Sequence, residues 1–174
     1  MGFTEEWFGE ASQQVIGDLA KSAPEGLIVE IGSWEGRSTC ALANAVYPRV
    51  VHAVDTWQGS PGEISELLAG ERDIFATWQA NVAELTKGNV LPFRMGWREY
   101  LTTAARMEMT IAFAFIDAEH TYREVHDNIA ALLPLMAPGG IICGDDSHHP
   151  PVQQAVLDHF PQAIVKATVW SWTL

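Results

Sequence analysis

Three apolar runs in this sequence stop on acids. Ile111 to Ile116 stops on Asp117, Val50 to Val54 stops on Asp55, and Ile141-Ile142-Cys143 is followed, after one glycine, by Asp145-Asp146. A fourth run, Leu27 to Ile31, carries Glu30 and leads into Gly32-Ser33-Trp34-Glu35-Gly36-Arg37-Ser38. A carboxylate at the mouth of a buried segment is costly until something compensates it. If the acids converge, two kinds of chemistry follow. Asp117, Asp145 and Asp146 in a partly dry crevice repel one another until a cation neutralises them. All-oxygen ligation selects a hard ion, Mg²⁺ or Mn²⁺, which keeps open positions for water and substrate. The bland alternative for Asp145-Asp146 is a helix cap before Ser147. Gly32 and Gly36 let the other turn tighten and a ligand approach the backbone, and the following helix offers free N–H groups to an anion. Asp55, 19 residues after Gly36, then stands where an acid accepts both hydroxyls of a ribose. That reads as a nucleoside site. The spacing G-x-x-x-G lacks the third glycine of the dinucleotide fingerprint, which suits a ligand without a pyrophosphate.

The elements that must position these residues alternate. Strand patterns fall at Leu27 to Ile31, Val50 to Val54, Val90 to Phe93, Ile111 to Ile116 and Ile141 to Cys143. Helical periods lie near 37–47, 72–86, 97–106, 122–136 and 151–160. Short strands apolar on both faces, with helices between them, require a mostly parallel sheet covered on both sides. Ala163 to Lys166 and Val169 to Thr173 have almost no connector, so they close the sheet as an antiparallel hairpin. Thr4 to Ala20 reads as an amphipathic helix, capped by Thr4, with Trp7, Phe8, Val15, Ile16 and Leu19 as its stripe, inside an N-terminal segment 1–23. Segment 58–72, with Gly59, Pro61, Gly62 and Gly70, is expected to be a lid or acceptor-binding loop.

Composition bounds the partners. At 174 residues and 48% hydrophobic the chain suits one domain, 1–174, with a sizeable core. Ten Lys and Arg against 22 Asp and Glu give a net charge of −12, which argues against nucleic acid and anionic membrane. Cys40 and Cys143 lie in apolar segments, as small buried hydrophobes do in a reducing compartment. With neither a secretory pattern nor an apolar run of about 18 residues, a cytoplasmic protein is expected.

Glu30-x-Gly32-x-x-x-Gly36, with Asp55 closing HAVDTW, resembles the S-adenosylmethionine site of class I methyltransferases, whose Rossmann-like sheet of seven strands also ends in an antiparallel hairpin. Within that superfamily, Asp117 followed 28 and 29 residues later by Asp145-Asp146 is similar to the metal-dependent small-molecule O-methyltransferases, of the catechol type and of the macrolide-sugar type. VDTWQGS is similar to the sugar branch. The resemblance implies that Glu30 and Gly32 line the methionine portion of the donor, with Ser33 in the same turn, that Trp34 stands beside that portion, that Ser38 holds its carboxylate and Asp55 its ribose. It implies that Asp117, Asp145 and Asp146 hold magnesium, with Asp117 also facing the donor. His120, three residues past Asp117, occupies the place of a lysine base in the catechol type and of a histidine in the sugar type. An alcohol is a poor nucleophile until its proton leaves, so His120 is the expected base; its bland reading is a surface histidine at a helix start.

Other residues carry weaker signals. His148 and His149 with the acids make a two-histidine carboxylate alternative for iron or zinc, although Pro150-Pro151 suits an exposed loop. His52, His126 and His159 fall inside regular elements and read as structural, as do Trp7, Trp78, Trp170 and Trp172. Trp57 and Trp97 each follow a strand end, where an aromatic stacks on adenine or walls an acceptor pocket; Trp97 departs from the resemblance, since many relatives have a small hydroxyl residue there. The expected activity is magnesium-assisted methyl transfer to a hydroxyl of a small molecule, a sugar or glycosylated natural product. A non-catalytic nucleoside-binding module and a nicotinamide-dependent oxidoreductase are the alternatives. Seven tryptophans are also compatible with an apolar contact in a homo-oligomer.

Overall fold

The computed structural model describes residues 2–174. The chain runs α1 (Glu10–Ser22), β1 (Leu27–Ile31), α2 (Arg37–Val46), β2 (Val51–Asp55), α3 (Ile64–Glu71), α4 (Ile74–Leu85), β3 (Val90–Arg94), α5 (Trp97–Arg106), β4 (Ile111–Ile116), α6 (Tyr122–Leu132), β5 (Met136–Gly144), α7 (Pro150–His159), β6 (Ile164–Lys166) and β7 (Val169–Thr173). One sheet holds all seven strands in the order β3-β2-β1-β4-β5-β7-β6. Strands β1 to β5 pair in parallel, and β7 is antiparallel to both β5 and β6.

Alternation along the central strands divides the core into two layers. Val29, Ile31, Ala114 and Ile116 face α5, α6 and α7, whose Leu101, Ile129 and Val152 are buried against them. Ile28, Phe113 and Phe115 face the other way, onto Ile16 of α1 and Leu42 of α2. A third cluster, with Trp57, Ile74 and Trp78, seals α4 against α2. Among the described residues, no helix is long and apolar enough to cross a membrane.

Three element boundaries correct the sequence reading. The first helix starts at Glu10, with Gly9 and not Thr4 at its cap. Residues 3–8 are irregular and stay out of the helix because their polar groups have long-range partners: the Thr4 amide donates to Glu35 at 2.6 Å, and Arg37 donates to the Glu5 carbonyl at 2.9 Å. A helix would need that carbonyl for itself. Trp7 is therefore not core: it is 51% exposed and packs on Trp34, ring centroids 5.5 Å apart. The expected helix over 122–136 stops at Leu132, since Pro134 allows only a 3₁₀ turn and Met136 already belongs to β5. Segment 58–72 is not all loop; it contains α3, whose amphipathic pattern the flanking glycines obscured.

Candidate active site

The chain returns at β1 to the middle of the sheet: β2 and β3 lie on one side of it, β4 and β5 on the other. This reversal leaves a crevice at the carboxyl ends of the strands. A cavity of about 450 Å³ occupies it, and a smaller one of about 60 Å³ adjoins under residues 3–8. Trp7, Gly32, Trp34 and Asp117 line both.

Gly32 takes φ +88°, and a Cβ there would stand 1.9 Å from the Asp117 carbonyl oxygen, so the β1 and β4 turns touch through it. Gly36 takes φ +91° and caps α2 with no side-chain acceptor for the helix N–H groups. Ser33, Trp34 and Ser38 line the smaller cavity beside that helix start. Asp55 closes the loop. Its Oδ2 accepts the amides of Ser33 and Trp34 at 2.7 and 2.8 Å, and its Oδ1 accepts the amide of Trp57 at 2.7 Å. A carboxylate has about four acceptor positions. Three are spent on the backbone, so Asp55 has one left for a ribose hydroxyl where the sequence reading gave it two.

Glu30 sits behind the turn, with no exposure, and lines neither cavity. Ser33 Oγ donates to its Oε2 at 2.7 Å and Thr39 Oγ1 donates to the same oxygen, while Oε1 makes no hydrogen bond among the described residues. Burial pushes its carboxyl up to about 7. Trp57, expected at a pocket wall, is in the core: it is 4% exposed, packs on Phe75 and Trp78, and donates its indole N–H to the Trp34 carbonyl at 2.9 Å. Trp97 does line the cavity, with its indole N–H on Glu124 at 3.2 Å.

In the same cavity one oxygen each of Asp117 and Asp146 and one nitrogen of His120 lie within 4.8 Å of one another. His120 Nε2 is 2.9 Å from Asp146 Oδ2 and 4.0 Å from Asp117 Oδ1. The carboxylates of Asp117 and Asp146 raise the imidazole to about 11, so it is protonated at neutral pH and acts as their counter-ion. Its hydrogen bond lowers Asp146. Burial raises Asp117, and burial together with the Asp117 charge pushes Asp145 up to about 6. Asp145 lines the same cavity but is also engaged by the Thr168 hydroxyl. Of the three acids named from the sequence, Asp117 and Asp146 converge with His120, while Asp145 lines the same cavity outside that group. His148 lines the cavity and is 70% exposed; His149 packs near His120, ring centroids 6.1 Å apart.

Two contributors escaped the sequence reading. Glu63, at the start of α3, holds His120 Nδ1 with both oxygens, at 3.0 and 3.1 Å. Glu35, buried, anchors residues 3–8 through Thr4, and Arg72 bridges Glu35 to Glu5. Neither residue type nor spacing marks either one, because each acts across a long sequence separation.

A doubly wound sheet with an antiparallel last strand, and a cavity at its switch point that joins a glycine turn to an acid cluster, define a class I S-adenosylmethionine-dependent methyltransferase. The chain belongs to the methyltransferase domain family, which matches residues 29–147. No curated protein sequence matches the chain. Among solved structures it is similar to the O-methyltransferase NovP (22% identity, 95% of this chain and 80% of that one, TM-score 0.70). It is also similar to an O-methyltransferase from Bacillus cereus in complex with SAH (15%, 96% and 82%, TM-score 0.72). A third is CalS11, a TDP-rhamnose 3'-O-methyltransferase of calicheamicin biosynthesis (16%, 93% and 76%, TM-score 0.62).

Proposed function

We propose that this protein transfers the methyl group of S-adenosylmethionine to a hydroxyl of a small molecule, with magnesium at the acceptor end of the cavity. The observation that carries this reading is one crevice that holds both the glycine turn closed by Asp55, beside an uncapped α2 N-terminus, and the cluster of Asp117, His120 and Asp146. Both groups fit the residues present. The smaller cavity offers the free N–H groups of α2 and the Ser38 hydroxyl to the donor's carboxylate, with the orphan oxygen of Glu30 behind the turn. Burial raises the carboxyls of Asp117 and Asp145, and the charge of neighbouring carboxylates adds to it, so a divalent ion beside them would relieve a cost that the His120 imidazole offsets mainly at Asp146.

When bound, the donor would supply a sulfonium-activated methyl group, and magnesium, which Asp117, Asp145 and Asp146 would hold, would lower the pKa of the acceptor hydroxyl. The chain does the rest. Asp55 orients the ribose through its remaining acceptor position. Trp97 and Trp34 wall the cavity, and residues 3–8 cover the methionine end against water. His120 Nε2, once free of its bridging proton, accepts the proton of the attacking hydroxyl, and Glu63 keeps the ring turned by holding Nδ1. Alignment of donor and acceptor in such a crevice contributes up to roughly 7 to 11 kcal/mol.

Calorimetric titration tests the reading. S-adenosylmethionine should bind the metal-free protein, and magnesium should give a separate heat that Asp117→Asn removes while donor binding persists. An absence of donor heat, with no thermal stabilisation, would refute it; heat from NADH in its place would make the protein an oxidoreductase.

A further inference from the structure

Six carboxylates line the larger cavity: Asp55, Glu63, Asp117, Glu119, Asp145 and Asp146. Among the described residues no lysine or arginine joins them. The arginines beside the cavity-lining segments are committed elsewhere: Arg37, which lines the smaller cavity, donates to the Glu5 carbonyl at 2.9 Å, and Arg123, 86% exposed, lies 3.8 Å from Asp127. Arg72 binds Glu5 and Glu35, Arg94 lies over the Phe75 ring at 4.9 Å, and Arg98 pairs with Glu124 at 2.7 Å. Five of the six acids already have work: Asp55 closes the glycine turn, Asp145 takes the Thr168 hydroxyl, Glu63 and Asp146 hold His120, and Asp117 belongs to the same cluster. Glu119 does not. It lines the cavity, partly buried, one residue before His120, with no hydrogen-bond or ion-pair partner among the described residues.

An anionic acceptor would therefore meet six acids and, among the side chains that line the cavity, one charged imidazole, His120, which Asp146 already holds at 2.9 Å. Phosphate and carboxylate recognition needs charge-assisted donors, which arginine supplies in forked pairs. One divalent ion and the single net positive charge of the donor do not offset six carboxylates. The apolar share of the wall, Trp7, Trp97 and Ile64, suits an uncharged ring body. Resting on the methyl-transfer reading of this cavity, we propose that the acceptor is a hydroxylated amine, such as an amino sugar or an aromatic amino-diol. Its hydroxyl reaches the Asp117–His120 end, its ammonium pairs with Glu119, and the site rejects nucleotide-linked and carboxylate-bearing acceptors. A TDP-linked sugar, the acceptor class of CalS11, has no counter-charge here.

The test is a panel of charge-matched triplets, amine, neutral and carboxylate or phosphate, on sugar and aromatic-diol scaffolds. Binding is read by calorimetry in the presence of S-adenosylhomocysteine and Mg²⁺, and methyl transfer is read in parallel. Within the triplet that binds, the amine should exceed the anion by at least about tenfold. In Glu119→Gln, whose thermal transition verifies folding, the ratio of amine to neutral should fall severalfold towards one. The sugar and aromatic arms tell which scaffold carries the amine. The proposal is overturned if the best acceptor bears phosphate or carboxylate, if the ratio is unchanged in Glu119→Gln, or if S-adenosylhomocysteine binds and no amine binds above its anionic partner. Failure of S-adenosylhomocysteine itself to bind would instead refute the methyl-transfer reading.

Discussion

Glu30 should make stability fall as pH rises through neutrality. Its carboxyl is fully buried on β1, facing α2, and its folded value of about 7 stands above the ordinary 4.5. Below 4.5 it is protonated in both folded and unfolded chains, and its contribution is fully present. Between 4.5 and 7 the folded chain binds more protons than the unfolded one, so stability declines with pH; above 7 the folded state carries the cost of a buried carboxylate. The difference of about 2.5 pH units corresponds to about 3 kcal/mol, at about 1.4 kcal/mol per unit. Glu30→Gln keeps the shape and cannot ionise. The stability difference between variant and wild type, from urea unfolding at pH 5 to 9, should therefore shift in the variant's favour by about 2 to 3 kcal/mol across that range, most of the total. A difference that stays constant with pH would show that the carboxyl does not titrate in this window, and the burial argument would be wrong.

Magnesium affinity should rise with pH between 6 and 8, by up to tenfold per unit, because His120 is held protonated by Asp117 and Asp146 and must release that proton as the ion enters. Titration in buffers of different ionisation enthalpy would show the proton release. Gly32→Ala should abolish soluble protein or cost more than about 4 kcal/mol, as its Cβ would overlap the Asp117 carbonyl at a positive φ; expression and thermal unfolding measure this. Asp73→Ala, which removes the acceptor that caps α4 at the Ala76 amide, should cost about 1 kcal/mol in urea unfolding and leave donor binding unaltered. Trp170→Ala should cost about 3 to 5 kcal/mol, since the ring is 1% exposed between β5 and Phe160.

The sequence by itself determined the strands and what stands at their ends. An all-apolar run such as Ile111 to Ile116 can only be a strand buried on both faces, and an acid just after it must lie at the edge of the sheet, so Asp55, Asp117 and Asp145-Asp146 were legible as one group. The hairpin of β6 and β7 was legible for the same reason, from period and connector length. Tertiary structure alone decided how each polar side chain spends its hydrogen bonds. Thr4 looked like a helix cap until Glu35, 31 residues away, claimed it. Asp55 looked free for two hydroxyls until the glycine turn folded back on it. Glu63 looked like one more loop acid, and meets His120 across 57 residues only because α3 packs over the switch point. Periodicity records burial, which each residue expresses locally; the partner of a buried polar atom is set by chain closure, and no local pattern carries it.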